Sequence, residues 1–324
     1  VPIKEVRFNN GEGKVVLEES VRKKEIFILS DPGNHSITYK MYEYMNHKSP
    51  DDHFQDVIRA ICAIRNQSRS ISLGMPLFYS SRQHKRDGRE SLDCAVALQT
   101  LIEKGVSNII TFDVHDSNVQ NAIPCSSFDN FYPTNIILEN FIKNEKVNND
   151  NLLAVSPDNG AIKRTNFYAN MLWCELGGHF EKQSDVYRVV DGKNHILKHE
   201  YIGKDVKGKD IIIVDDMIAS GESMIDVARE LKKRGAQKIY LMSAYSLFTK
   251  GLEVFDEAYK DGLFTKLYTT NLSYVSDEAL SRPWICQADC SEYVAKIIWT
   301  FYQGKSVAPI LADKSPLLED FARK

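Results

Sequence analysis

Short apolar runs rich in β-branched residues alternate along this chain with stretches whose apolar positions recur at helical spacing. The runs predict seven strands, at residues 25–29, 70–74, 108–112, 152–156, 211–214, 238–242 and 267–270. Helical spacing is clearest at 91–104 and 223–234, and each of these stretches stops at a glycine, Gly105 and Gly235. Strands that alternate with helices predict a mainly parallel sheet flanked by helices, so we expect an α/β fold.

The length and internal similarity of the chain predict two domains. Its 324 residues are enough for two hydrophobic cores. Both halves repeat the order of a strand, a polar strand end, a turn and a helix, and a polar run at 144–151 punctuates the middle. We expect one domain at 1–136, a second at 137–296, and a C-terminal segment at 297–324 that packs back on the first.

Charge and composition exclude several classes of partner. The 41 Lys and Arg nearly balance the 44 Asp and Glu, which leaves a net charge of -3. Such a chain has no broad basic field for a nucleic acid or an anionic membrane. No apolar run approaches the roughly 20 residues of a membrane helix, and the N-terminus lacks a signal-peptide pattern, so we expect a cytoplasmic protein. The six cysteines are expected to be reduced, with Cys286 and Cys290 in a surface loop rather than a metal site.

The most specific feature is the segment IIIVDDMIASGES, residues 211–223. Two adjacent carboxylates, Asp215 and Asp216, follow its apolar run, and a turn of small residues then leads into the helix. Such a turn lets a phosphate approach the N–H groups of a first helical turn, and adjacent carboxylates suit ribose hydroxyls or Mg²⁺. An acidic cap before an ordinary helix is the alternative. The residues predicted to bind phosphate are Ala219, Ser220, Gly221, Glu222 and Ser223.

Other strand ends carry groups suited to a nucleotide. Arg82 and its basic neighbours follow the strand at 70–74, where they could hold a triphosphate or form a solvated basic loop. Asp113 and His115 follow the strand at 108–112 and can present an oxygen and an imidazole to one Mg²⁺–nucleotide complex, although a lone histidine is more often structural. Asp158 suits Mg²⁺ or a ribose hydroxyl, or is simply a turn residue.

Taken together, five segments resemble the ribose-phosphate pyrophosphokinase family. Residues 211–223 look like its phosphoribosyl-binding motif, 81–91 (SRQHKRDGRES) like its ATP-binding segment, and 112–120 (FDVHDSNVQ) like its metal- and ATP-binding segment. Residues 156–164 (SPDNGAIKR) look like its Ser-Pro-Asp segment, and 7–17 (RFNNGEGKVVL) like a hairpin that reaches the adenine of a neighbouring subunit. The resemblance implies two type I phosphoribosyltransferase-like domains, a homo-oligomer (dimer or hexamer), and Mg²⁺-dependent transfer of pyrophosphate from ATP to the 1-hydroxyl of ribose 5-phosphate. The products are phosphoribosyl pyrophosphate and AMP.

The same resemblance implies a role for individual residues. ATP binding falls to Phe8, Asn10, Glu12, Arg82, Gln83 and His115; ribose 5-phosphate binding falls to Asp215, Asp216 and residues 219–223; and Mg²⁺ binding falls to Asp113, His115 and Asp158. In the family a Lys-Arg-Arg segment opens a flexible loop and supplies the catalytic cation. Here Lys182 matches, Gln183 and Ser184 replace the arginines, and Arg188, Lys193 or Lys198 could substitute.

Two other functions stay open. Gln183 and Ser184 are compatible with a catalytically weak or inactive family member that binds nucleotide or acts as a regulatory subunit. A salvage phosphoribosyltransferase is the other alternative, and it would leave the segment at 81–91 and His115 without a role.

The family's first strand and helix are missing ahead of Arg7, so we expect a trimmed or disordered N-terminus.

Overall fold

The chain divides into two compact units. The computed structural model describes residues 1–64, 67–86, 88–190, 193–312 and 315–322, with side chains described in these ranges except at 182–190, 193–199 and 322. Unit 1 comprises Val1–Tyr132, Leu272–Ser276 and Ser291–Ala312, and unit 2 comprises Pro133–Asn271, Asp277–Cys290 and Asp313–Lys324. This division falls at residue 132, and it assigns 297–312 and 313–324, which we expected to form one segment, to different units.

Unit 1 is built on a four-stranded parallel sheet. In spatial order its strands are β3 (Glu25–Leu29), β6 (Ser70–Gly74), β7 (Asn108–Phe112) and β8 (Ser127–Phe131). The helices are α1 (Pro50–Ile64), α2 (Asp93–Glu103), a 3₁₀ turn at Ser117–Ala122, α8 (Ser291–Tyr302) and α9 (Ala308–Ala312). Helices α1 and α2 bury their apolar faces in one core with the sheet, through Val57, Ile61, Leu98, Leu101, Ile71 and Leu73.

Two antiparallel hairpins complete unit 1. The first hairpin pairs β1 (Ile3–Arg7) with β2 (Gly13–Leu17), and Arg7 lies opposite Gly13. The second hairpin pairs β4 (Thr38–Met41) with β5 (Tyr44–His47). Its two turn residues, Tyr42 and Glu43, both have positive φ, at 47° and 68°. Asn-Gly is the usual sequence for a turn with positive φ at both positions. Since Tyr-Glu stands here instead, the sequence carried no hairpin signal at this turn.

Unit 2 is built on a seven-stranded sheet. In spatial order its strands are β11 (Lys193–Gly203), β10 (Glu175–Val190), β9 (Leu152–Ser156), β12 (Asp210–Ile218), β13 (Ile239–Ser246), β14 (Lys266–Thr270) and β15 (Ile285–Ala288). Strands β10 and β11 are antiparallel and the other neighbours are parallel. The helices are α3 (Thr134–Asn144), α4 (Ile162–Leu172), α5 (Glu222–Lys233), α6 (Glu253–Lys260), α7 (Asp277–Leu280) and α10 (Pro316–Ala322), with a 3₁₀ turn at Asn149–Asn151. Every residue of β9 and β13 is buried, as expected for central strands of a sheet covered on both faces.

The structure confirms all seven predicted strands and both predicted helices. It also contains strands that the sequence did not predict, among them β8, β10, β11 and β15. The resemblance implied a flexible loop after residue 181, whereas the backbone there continues as β10 and returns as β11. Among the described residues, no helix combines the length and the apolar character needed to cross a bilayer.

The cysteines are free, as predicted, but the position predicted for two of them is wrong. Cys286 lies in β15 rather than in a surface loop, where it pairs with Tyr268 of β14. Cys290 is fully buried, and its backbone N–H donates to the side-chain oxygen of Asn271 over 2.8 Å. Burial raises the pKa of the Cys290 thiol to about 12. The run ICQA gave no strand signal because it has only four residues, of which Ile285 alone is β-branched.

Candidate functional site

The predicted acidic pair lies where strand β12 loses one of its two neighbours. β12 pairs with β9 only as far as Ile213, but with β13 as far as Ile218. Asp215 and Asp216 therefore belong to the strand itself rather than to the turn after it, yet they lie beyond the last β9 pair. This is an opening at the carboxyl end of a parallel sheet, which is where ligands bind in open α/β folds.

The two carboxylates lie close together, and their like charges repel each other. The Asp216 side chain is only 3% exposed, and the backbone N–H of Asp216 donates to Oδ1 of Asp215 over 2.9 Å. Loss of water around Asp215, together with the charge of Asp216, raises the pKa of Asp215 well above its usual range. Arg164 lowers that cost, because its Nη1 lies 4.0 Å from Oδ1 of Asp215 and 3.8 Å from Oδ1 of Asp216.

The predicted phosphate-binding turn at 219–223 leads directly into α5. Gly221 caps the helix in the left-handed region, with φ of 85°. A Cβ at this position would lie 2.0 Å from Cζ of the buried Phe255, so both the backbone conformation and the space require glycine. The carboxylate of Glu222 accepts from Nζ of Lys250 over 2.9 and 3.0 Å. The first-turn N–H groups of α5, together with the exposed Ser223, can thus meet an anion without an unbalanced charge from Glu222.

Asp158 occupies a tight turn after β9. Its Oδ1 accepts from the N–H groups of Gly160 and Ala161, over 2.9 and 3.1 Å, just before α4 begins. The hydroxyl of Ser156 donates to the Asp158 carbonyl over 2.7 Å. The charge of Asp158 also contributes, as a minor cause, to the raised pKa of Asp215. Asp158 therefore both shapes the turn and adds negative charge at the site.

In unit 1, the loops after β6 and β7 bring two predicted segments together. The rings of His84 and His115 lie 5.2 Å apart, and Nε2 of His84 lies 3.4 Å from Oδ2 of Asp116. Asp113 is buried with a positive φ of 38°, and its N–H donates to the carbonyl of Phe131 over 2.8 Å. The strained loop from 113 to 116 is thus anchored to β8 while His115 remains exposed.

Arg82 and Gln83 differ in their surroundings. The Arg82 side chain is exposed, so a ligand in solvent can reach it. The Gln83 side-chain amide instead donates to the carbonyl of Ser91 over 3.1 Å, so it closes the basic loop on itself. The predicted contact of Gln83 with ATP would require this hydrogen bond to be exchanged.

The first hairpin presents its predicted nucleotide-binding residues at its turn. Phe8 is 46% exposed, and its N–H donates to the carbonyl of Glu12 over 2.8 Å. The side chains of Asn10 and Glu12 hydrogen-bond to each other over 3.1 Å. The hairpin predicted for 7–17 is confirmed. The side chains of Lys182 and Arg188 lie outside the described residues, so their roles stay predictions.

Comparison with known proteins identifies the family. Residues 1–105 match a family model described as the N-terminal domain of ribose phosphate pyrophosphokinase, and residues 136–271 match the phosphoribosyl transferase domain. The chain belongs to the ribose-phosphate pyrophosphokinase family. A ribose-phosphate pyrophosphokinase of Ralstonia nicotianae is 26% identical over 313 residues, which cover 95% of this chain and 89% of that protein. A putative ribose-phosphate pyrophosphokinase 2 of Lactococcus lactis is also 26% identical, over 96% of this chain and 88% of that protein.

A solved structure supports the fold of this family member. The crystal structure of phosphoribosylpyrophosphate synthetase from Mycobacterium smegmatis matches with a TM-score of 0.77 at 20% identity, over 94% of this chain and 91% of that chain. The predicted α/β fold class with phosphoribosyltransferase-like architecture is confirmed. The prediction of an enzyme of this family is confirmed by the named relatives.

The predicted Mg²⁺ ligands supply carboxylates, which are oxygen donors of the kind that Mg²⁺ takes in proteins. Within the described residues, no group of three or more His, Cys, Asp or Glu side chains is arranged to hold a metal ion. The predicted ligands Asp113 and His115 lie in unit 1, and Asp158 lies in unit 2. Mg²⁺ commonly takes one or two carboxylates from the protein and its remaining ligands from phosphates and water. A resident metal enclosed by protein side chains would need more donors than this.

Two residues near the site escaped the sequence analysis. Arg164 ends the quoted segment at 156–164, and His84 lies inside the segment at 81–91. In both cases the sequence shows the residue but not its partner. Arg164 contacts the acidic pair because β9 and β12 are neighbours in the sheet. His84 contacts Asp116 because β6 and β7 are neighbours.

Proposed function

We propose that this protein transfers the β,γ-pyrophosphoryl group of MgATP to the 1-hydroxyl of ribose 5-phosphate, giving phosphoribosyl pyrophosphate and AMP. The observation that carries this proposal is the acidic pair of β12, neutralised in part by Arg164 and followed directly by a glycine-capped turn into α5. The N-terminal family match at 1–105 favours this reaction over a salvage phosphoribosyltransferase, which has no use for that domain.

On the ribose side, the chain offers complementary groups at the two ends of the sugar. The turn at 219–223 would bind the 5-phosphate through the N–H groups of the first turn of α5 and through the hydroxyls of Ser220 and Ser223. Asp215 and Asp216 would accept hydrogen bonds from the ribose hydroxyls. A hydroxyl that donates a hydrogen bond stabilises a carboxylate that is held out of water. Binding of ribose hydroxyls would therefore lower the free energy of the adjacent ionised carboxylates.

On the ATP side, the proposal assigns the phosphates to Arg82 and the loop that carries His115, and the adenine to Phe8 in the first hairpin. The attacking 1-hydroxyl oxygen bonds to the β-phosphorus while the bond from that phosphorus to the α-phosphate oxygen breaks, so AMP leaves. Mg²⁺ bound with ATP supplies charge neutralisation on the phosphates. Positioning and charge stabilisation carry most of such a transfer, and Lys182 and Arg188 are the proposed cations.

The test is AMP formation from ATP, measured by chromatography. We expect AMP to appear only when ribose 5-phosphate and Mg²⁺ are both present. Asp216→Asn should reduce the rate at least tenfold, on the order of the loss of one charged contact in a transition state. Asp226→Asn, which removes a carboxylate from an exposed pair with Arg229 on α5, is the matched control and should retain full activity. Absence of AMP at high enzyme concentration would refute the proposal.

Gln183 and Ser184 favour a second candidate, a weak or inactive family member that binds nucleotide. Here the two family arginines are replaced by neutral residues. Losing a guanidinium that stabilises transition-state charge can cost on the order of 10³-fold in rate. The double variant Gln183→Arg, Ser184→Arg should then raise the rate of AMP formation steeply. An unchanged rate would count against this candidate.

A further inference from the structure

A cluster of charged residues lies beneath the first hairpin and has no part in the proposed chemistry. Its centre is Asp56 on α1, whose side chain is 9% exposed. Nη2 of Arg7 lies 2.7 Å from Oδ2 of Asp56, Nζ of Lys48 lies 3.0 Å from the same oxygen, and Nη1 of Arg59 lies 2.7 Å from Oδ1. Three cations therefore converge on one buried carboxylate.

Arg7 connects this cluster to the turn that carries Phe8. Its Nη1 donates to Oδ1 of Asp52 over 3.2 Å and also to the carbonyl of Gly11 over 3.2 Å. Arg7 is the last residue of β1, so it directly precedes Phe8. The guanidinium thus bridges the first and second turns of α1 to the far side of the hairpin turn, and Tyr39 stacks against it with its ring centre 4.8 Å from Cζ.

The charges in the cluster are balanced. Lys48 also pairs with Glu5 of β1, so the three cations meet three carboxylates, those of Glu5, Asp52 and Asp56. Burial by itself would raise the pKa of Asp56, but the hydrogen bonds from Lys48 and Arg59 and the charges of Lys48 and Arg7 together outweigh it, and the pKa lies below its usual range. Removing one carboxylate from such a cluster leaves a buried cation without compensation.

The Arg7 guanidinium connects the hairpin turn to α1, through the carbonyl of Gly11 on one side and Asp52 and Asp56 on the other. Phe8 is half exposed, and the side chains of Asn10 and Glu12 bond to each other rather than to a core. A second support comes from the second hairpin, where the N–H of Tyr42 donates to the carbonyl of Asn9 over 2.9 Å. The ion cluster is therefore a charged connection from helix α1 to the turn.

We infer that Asp56 is a positioning residue for nucleotide binding, which acts through Arg7 on the angle at which the first hairpin presents Phe8. The inference rests on the proposed function, because that proposal assigns the hairpin to the adenine. Asp56 touches no substrate in this scheme. Its effect should appear in nucleotide affinity and leave ribose 5-phosphate affinity unchanged, since the ribose groups lie in unit 2.

The experiment compares wild type with Asp56→Asn in the intact protein by two readouts. Titration calorimetry with Mg²⁺ and α,β-methylene-ATP measures nucleotide affinity without turnover, and AMP formation gives KM for both substrates. We expect Asp56→Asn to weaken nucleotide affinity about 10- to 100-fold, in line with a displacement near 1 Å, with KM for ribose 5-phosphate unchanged. Glu145→Gln is the control, because it removes a partly buried carboxylate that accepts from Tyr240 and Tyr268 in unit 2.

A double-mutant cycle distinguishes positioning from general destabilisation. In a Phe8→Ala background, Asp56→Asn should change nucleotide affinity about threefold or less, because the group it positions is gone. Fully multiplicative effects would overturn the inference, as would an unchanged affinity in Asp56→Asn or an equal loss in Glu145→Gln. If Asp56→Asn does not fold, Asp52→Asn removes one carboxylate partner of Arg7 and replaces it in the same cycle.

The two readouts also separate failure of the inference from failure of the proposed function. Wild type that binds the analogue but forms no AMP refutes the proposed reaction, while the affinity cycle still decides the role of Asp56. Wild type that forms AMP while Asp56→Asn binds normally refutes only the positioning role. Wild type that does not bind the analogue at all refutes both.

Discussion

Replacing Gly221 with alanine should displace the turn at 219–223 by two distinct physical effects. The first is backbone strain, because alanine must adopt the left-handed conformation that Gly221 holds at φ of 85°. The second is steric, because the new Cβ would meet Cζ and Cε2 of Phe255 at 2.0 and 2.4 Å. Phe255 cannot yield easily: it is fully buried and stacks on Trp284 with ring centres 5.5 Å apart.

The structure supplies a control that isolates the strain. Gly262, between α6 and β14, also has a left-handed backbone, with φ of 69°, but a Cβ there would meet nothing within 4 Å. Left-handed strain for a residue with a Cβ costs about 1–2 kcal/mol, and we expect this loss in Gly262→Ala. Overpacking adds about 1–3 kcal/mol, so Gly221→Ala should lose about 2–5 kcal/mol in all.

Thermal melts and ribose 5-phosphate titrations test this difference. A loss of 1 kcal/mol lowers Tm by about 2–4 °C for a unit of this size, so the steric part should lower the Tm of Gly221→Ala by about 2–12 °C relative to Gly262→Ala. Gly221→Ala should also lose affinity for ribose 5-phosphate, whereas Gly262→Ala should keep it. Equal Tm values for the two variants, with affinity intact in both, would refute the argument that Phe255 holds the turn in place.

Three further predictions concern charge and titration. A carboxyl whose pKa is raised in the folded state favours folding at low pH, and this contribution is lost as pH rises through the folded-state pKa. At pH 8 the ionised Asp215 therefore destabilises the folded protein, so Asp215→Asn should raise Tm. The gain in Tm should shrink toward pH 4 in parallel melts. Arg164→Met should lower the free energy of unfolding by about 1–3 kcal/mol in urea titrations, because it removes the Arg164 charge from two adjacent carboxylates, and Arg164→Lys should recover part of the loss. Iodoacetamide at pH 8 should label the exposed Cys62 and Cys125, as read by peptide mass spectrometry, well before the thiols whose pKa is raised to about 12, which are Cys94, Cys174 and Cys290. Equal Tm values across pH, unchanged urea curves, or uniform labelling would contradict these predictions in turn.

The sequence predicted the strands that consist mainly of apolar β-branched residues, because such a composition indicates burial. The β12 run at 211–214 is fully buried and made of Ile and Val, so its pattern is unambiguous. Strand β8 reads SFDNF, so three of its five residues are polar. Asn130 accepts from the N–H of Val114 in the loop after β7, and Ser127 donates to Asp129 within the strand. Its strand conformation comes from pairing with β7, which local composition does not encode.

The site shows the same limit. Asp215, Asp216 and the turn at 219–223 lie within one short segment, so their chemistry could be predicted from adjacency alone. Arg164 lies about 50 residues earlier and reaches the pair because β9 and β12 are neighbours in register, with Val155 opposite Ile213. Strand order across a parallel sheet is a tertiary property, and one sequence without homologues carries little signal for it.

The N–H groups at the start of α5 explain how a chain with a net charge of -3 could bind the phosphate that we propose as its ligand. Around the turn at 219–223, Lys250 pairs with Glu222, and Arg164 offsets only part of the charge of the acidic pair. Attraction for a phosphate must then come from the N–H groups and the dipole of α5. These groups cannot titrate and are fixed by the helix, so the turn can bind a small anion without a basic surface. A broad basic surface would also attract nucleic acid, which the near-neutral charge of this chain disfavours.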